Sequence, residues 1–87
     1  MQYNLTIYVY DARTGNPLPY ATVIITSRET GMRIPTSTDA SGMVSLTLEE
    51  GTYDIAVRVF NYEPKNVTVF LKGNQTVRIP LRMVRLF

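Results

Sequence analysis

The chain contains no cysteine, no histidine and no tryptophan, and each absence removes a class of chemistry. Without cysteine there is no disulfide and no thiolate nucleophile or ligand, and the redox compartment stays open, because a disulfide-free chain suits the cytosol and many extracellular settings alike. Without histidine the commonest general base and zinc ligand is missing, and no Ser–His pair can form. A domain of 87 residues buries only about 60–65% of the surface its unfolded chain exposes, and small domains often add a disulfide or a metal. Stability here falls to packing or to partners. Charge is sparse: seven Arg and two Lys against seven acids give a net +2, too little for general nucleic-acid binding. No apolar run approaches the length of a membrane span, so no transmembrane segment is expected. The opening MQYNLTIYVY lacks the basic stretch and continuous apolar run of a secretion signal.

What is present is alternation. Leu5, Ile7 and Val9 face one way while Tyr8 and Tyr10 face the other. Ala21, Val23 and Ile25 repeat the pattern, as do Val44, Leu46 and Leu48, then Tyr53, Ile55, Val57 and Val59, then Val67, Val69 and Leu71, and last Val77, Ile79 and Leu81. DARTGNPLP breaks the alternation with turn formers. RETGMRIPTSTDASG reads as a loop enclosing one short edge strand near Met32 to Thr36. Strands at roughly ten-residue spacing with turn signals between them predict an all-β, antiparallel sandwich or barrel, in one domain over 1–87. Residues 36 to 59, TSTDASGMVSLTLEEGTYDIAVRV, read as a hairpin. Asp39 to Gly42 suits a type I turn, and Glu49-Glu50-Gly51 suits a short hairpin loop with Gly51 left-handed in a bulge. Pro35 and Pro80 each remove a ladder donor and mark blunted edges.

At these residues the chain resembles the carboxypeptidase regulatory-like domains, which have the transthyretin-like β-sandwich fold. The matching pieces are the first strand leading into Asp11, then TGNPLPYATV, TDASGMVSLTL, GTYDIAVRV, and Tyr62 of NYEP, together spanning roughly residues 5 to 81. Asn61 stands where the family usually has Gly, and Asn tolerates positive φ better than most residues. The resemblance implies a seven-stranded antiparallel Greek-key sandwich serving as an accessory, adhesive or spacer module in secreted and surface proteins, with no catalytic residue. The related transthyretin-like hydrolases that act on a urate breakdown product depend on His and a carboxy-terminal Tyr-Arg-Gly-Ser, whereas this sequence has no His and ends MVRLF.

No stretch reads as a catalytic centre or a cofactor site. Glu49 and Glu50 are neighbours in a turn and project apart, unlike a glycosidase pair. Asp39 and Ser41 suit turn capping better than Ca²⁺, which needs repeated acidic ligands. Tyr3, Tyr20, Tyr53 and Tyr62 lack the His that iron sites normally add. Asn4, Asn66 and Asn74 each open an N-x-[ST] glycosylation sequence, which favours an extracellular surface.

The strongest signal is apolar surface. Tyr8, Tyr10, Ile24, Met43, Phe60 and Phe70 are expected to point outward, and a small sandwich does not normally leave that many large groups to water. The end of the chain, RIPLRMVRLF, carries three Arg and no acid. Arg78 and Arg82 suit a final strand, and 83–87 is expected to form an interaction tail. The expected interaction surface is therefore Tyr8, Tyr10, Ile24, Phe70, Arg82, Arg85, Leu86 and Phe87. These features point to a non-enzymatic structural or adhesive sandwich that self-associates or joins a larger assembly at a cell or virion surface. It would be a complete small subunit of a filament or virion, or a module of a longer secreted chain. The alternative is a carbohydrate-binding module using surface aromatics to stack on sugar rings.

Overall fold

A computed structural model describes residues 1–84 of the chain. It contains seven strands: β1 (Gln2–Asp11), β2 (Thr22–Ser27), β3 (Arg33–Ser37), β4 (Met43–Glu49), β5 (Gly51–Arg58), β6 (Lys65–Leu71) and β7 (Gln75–Leu81). They form two sheets, one of three strands in the order β4-β1-β7 and one of four in the order β3-β2-β5-β6. No helix of the described residues is long and apolar enough to cross a membrane.

The alternating sets become the core. Leu5, Ile7 and Val9 from one sheet meet Val23, Ile25, Ile55 and Val57 from the other, all fully buried, with Leu71, Ile79 and Leu81 closing one flank. Burying each such side chain stabilises by about 1.5–3 kcal/mol relative to leaving it exposed. Leu18, from the segment that breaks the alternation, is also buried.

Two pairings differ from the simplest reading of the sequence. Residues 36 to 59 are not a hairpin, because β4 pairs with β1 while β5 pairs with β2 and β6. The Glu49–Gly51 link instead arches from one sheet to the other, so that Leu48 and Tyr53 enter the core from opposite layers. Gly51 has a positive φ of 158, at the near-extended end of that range, and with β4 and β5 not paired to each other there is no hairpin for it to bulge in. A Cβ on it would lie 2.9 Å from Glu29 Oε1. That carboxylate accepts the Thr52 N–H at 3.1 Å, which is why the arch is tight. Alternation fixes the apolar face of a strand but not its neighbour. The second difference is that β7 lies parallel to β1. The chain changes sheets between β6 and β7, so β7 returns alongside β1 in the same direction.

The Asp39–Gly42 turn follows expectation. Asp39 Oδ1 accepts from Ser41 N at 2.8 Å and Met43 N at 3.0 Å, and Asp39 O accepts from Gly42 N. Gly42 is required twice over: it sits at φ 75, and a Cβ would fall 2.7 Å from Val9 O. Thr38, just before this turn, is buried. Its Oγ1 accepts from Ala21 N and donates to Leu18 O, both at 2.8 Å, fastening the β1–β2 connection to the β3–β4 connection.

Candidate functional site

A connected polar constellation lies where β1 ends. The side chain of Asp11 is buried, and its Oδ1 caps the following turn by accepting from Arg13 N at 2.8 Å and Thr14 N at 3.0 Å. Its Oδ2 accepts from the Tyr62 hydroxyl at 2.5 Å. The Tyr62 bond, then the Thr14 and Arg13 amides, hold the Asp11 carboxyl below the ordinary aspartate value against the opposing effect of burial. The same bond, with burial, raises the Tyr62 phenol above the ordinary tyrosine value. Tyr62 is aimed by Asn61, which adopts φ 70 as the resemblance to Gly at that position requires. Both carboxylate oxygens of this corner accept bonds that fix loops.

Beside it runs a shallow groove between Asp11–Thr14 and the segment Arg82–Val84. That segment is not a free tail. Glu63 N donates to Arg82 O and Val84 N donates to Asn61 O, each at 2.8 Å, and Met83 bridges Tyr62. Met83 and Val84 pair through their backbone with the chain's own β5–β6 connection, while their side chains stay exposed. Arg85, Leu86 and Phe87 lie outside the described residues.

The remaining expected interaction residues do not form one surface. Tyr8 and Tyr10 lie on the outer face of the three-stranded sheet, and Ile24 and Phe70 on the outer face of the other. The Tyr8 and Tyr10 rings stack at 5.3 Å with planes 17° apart, and the Arg78 guanidinium lies 5.5 Å from both ring centroids. These faces are turned to each other and to Arg78, which half-buries both tyrosines. Ile24 is half-buried between Pro35 and Ala56 on neighbouring strands. Phe70 stays 59% exposed with the Lys72 ammonium 4.6 Å from its centroid. Phe60, at 88%, is more exposed still. Tyr20, which the sequence raises only as a metal ligand, is 72% exposed in the β1–β2 connection at φ 57. Alternation carries no signal for a loop residue of this kind.

On the four-stranded sheet, Arg28 holds Asp54 bidentately at 2.9 and 3.0 Å, and the Thr68 hydroxyl donates to Asp54 Oδ1 at 2.8 Å. The Arg28 bond, then the Thr68 bond, lower the Asp54 carboxyl. Tyr53 donates to Glu49 O at 2.6 Å, and burial raises its phenol. Of the glycosylation sequences, Asn4 and Asn74 come together: Asn74 Oδ1 accepts from Asn4 N at 2.9 Å, while Asn4 Oδ1 accepts from the Thr47 hydroxyl. Asn66 lies exposed on β6.

Comparison with known proteins agrees with this geometry. The chain is 37% identical over 60 residues to structural protein 27 of a virus (isolate Australia/Victoria), a match that covers 69% of this chain and 11% of that protein. Among solved structures, the shaft pilin SpaA from Lactobacillus rhamnosus GG superposes with a TM-score of 0.78 at 16% identity, over 100% of this chain and 49% of that one. The 5-hydroxyisourate hydrolase of Klebsiella pneumoniae superposes with a TM-score of 0.72 at 16% identity, over 94% and 92% of the two chains. Likeness at these identities establishes a shared fold. A family model for the carboxypeptidase regulatory-like domain matches residues 4–84, and with the Asp11–Tyr62 corner and the two-sheet topology in place, the chain belongs to that family.

Proposed function

We propose that the chain acts as a structural β-sandwich, working through protein–protein contacts within a filament, surface or virion assembly rather than by catalysis. The observation that carries this reading is the distribution of polar and apolar groups. The polar side chains at the Asp11 corner are spent on holding loops, while Phe60, Tyr20, Met83 and Phe70 remain open to solvent. Together they offer apolar area on a small domain for a partner to cover. The names of the viral relative and of the pilin support it: one is a structural protein and the other forms a shaft. A place at a cell or virion surface follows from the same reading. The stacked Tyr8–Tyr10 pair, with its ring faces turned to each other and to Arg78, argues against the sugar-stacking alternative.

The reading is tested by comparing the mass of the chain by light scattering with that of a Phe60→Ser, Phe70→Ser double variant, alongside a glycan array. A lower mass for the variant and a blank array are expected. Equal masses combined with saturable binding to a glycan would replace this reading with the carbohydrate one.

A further inference from the structure

The four edge strands are unlike one another. β3 carries Pro35 and β7 carries Pro80, each lacking a donor, whereas β4 and β6 are seven residues long with neither proline nor glycine. Each sheet therefore has one blunted edge and one open edge. β6 and β7 touch and share one flank, so β3 and β4 share the other. The open edges lie diagonally, on opposite flanks and in different sheets.

Two independent features mark those same edges. Among the described residues, the large apolar side chains left exposed within strands are Met43 of β4 (38%) and Phe70 of β6 (59%), one on each open edge. Charge divides in the same way. Residues 43 to 50 carry Glu49 and Glu50 with no base, and the chain's two lysines, Lys65 and Lys72, bracket β6 with no acid between them.

We propose that the open β4 edge of one copy pairs antiparallel with the open β6 edge of a second copy, a contact that rests on the assembly reading above and specifies its surface. The apolar faces fix the register to alternate positions, since inward side chains must stay inward. Setting Leu48 opposite Val67 places Leu46 opposite Val69 and Val44 opposite Leu71. It also brings Glu50 opposite Lys65 and Phe70 diagonal to Met43, within reach for long side chains. Of the two adjacent allowed registers, Leu48 opposite Lys65 sets Glu50 against Glu63, and Leu48 opposite Val69 sets Glu50 against Val67, so neither makes that charge pair. Pairing β4 with β4, or β6 with β6, brings no opposite charges together. Because the contact joins different edges, each pair keeps one free edge of each kind, and the contact repeats.

The absence of cysteine makes introduced thiols unique. Thr47 and Thr68 face each other in the proposed register, and both point away from the core. A Thr47→Cys chain mixed with a Thr68→Cys chain and oxidised with diamide is expected to give a disulfide-linked dimer. Its yield should be several-fold above that from Ser45→Cys with Thr68→Cys, or from either variant alone, with circular dichroism confirming that each chain folds. Equal yields in all samples would overturn the pairing. Assembly that persists by light scattering without this cross-link would overturn the edge contact and leave the assembly reading standing, whereas a monomer mass throughout would overturn both. Charge exchange gives a second readout that leaves the threonines intact: Glu50→Lys and Lys65→Glu each weaken association alone and restore it when mixed. Failure of the mixture to recover would count against the proposed register.

Discussion

The Tyr62 hydroxyl donates to Asp11 Oδ2 at 2.5 Å, tying the end of β1 to the β5–β6 connection 51 residues further along the chain. Because Asp11 also accepts two backbone amides, one carboxylate sets the course of both loops at that end of the sandwich. Tyr62→Phe keeps the ring and removes the bond, and it should lower the Tm at neutral pH. The Asp11 pKa is depressed by folding, so its stabilisation is present above the ordinary aspartate value and lost as pH falls through the lowered one. Tyr62 is the opposite case. Its raised phenol pKa contributes below the ordinary tyrosine value, and that contribution is lost as pH rises through the raised one. The Tm difference between the two chains should therefore be largest between these limits and shrink towards strong acid and strong alkali. A difference independent of pH in thermal melts would show that the bond is not the cause.

Thr38 is almost fully buried, and its hydroxyl serves two backbone partners at once. Thr38→Val preserves the shape but leaves Ala21 N–H and Leu18 C=O unpaired, which should cost about 1–3 kcal/mol. Thr38→Ser retains the hydroxyl and should recover most of that loss. Urea denaturation midpoints of the three chains provide the comparison, and a Val variant as stable as the parent would contradict the assignment.

Gly42→Ala combines a left-handed backbone with a contact of 2.7 Å to Val9 O, which as backbone cannot swing away. The cost should be about 2 kcal/mol or more. At Gly31, also left-handed but with open space around it, alanine meets the conformational cost alone. The expected order of denaturation midpoints is parent, then Gly31→Ala, then Gly42→Ala, and reversal of the last two would show that the close approach is absent.

Much of this architecture is legible in the sequence because a strand's inner face is a local property. Leu5, Ile7, Val9 and their counterparts can be read two residues at a time, and even the short strand around Ile34 announces itself through its proline and flanking loops. Which strand lies beside which is a non-local property, so the arch at Glu49–Gly51 looks like a hairpin turn and the parallel β1–β7 pair leaves no local mark. Asp11 and Tyr62 stand out individually through the family resemblance, but their partnership depends on two loops meeting in space. Thr38 is hidden for a similar reason: one more threonine in a strand-rich chain carries no sign that two distant carbonyl and amide groups will close on it. The surfaces are the least legible part. Tyr8, Tyr10 and Ile24 point outward as alternation requires, yet stacking and flanking strands cover them, and Met83 with Val84 returns to its own chain.

If this sandwich works by assembling, sedimentation velocity of the unaltered chain across a wide concentration range will reveal it. For a contact that repeats, the weight-average sedimentation coefficient climbs steadily with concentration, and it falls when salt screens the Glu50–Lys65 attraction. A single species of 9.9 kDa at every concentration and salt level would contradict assembly.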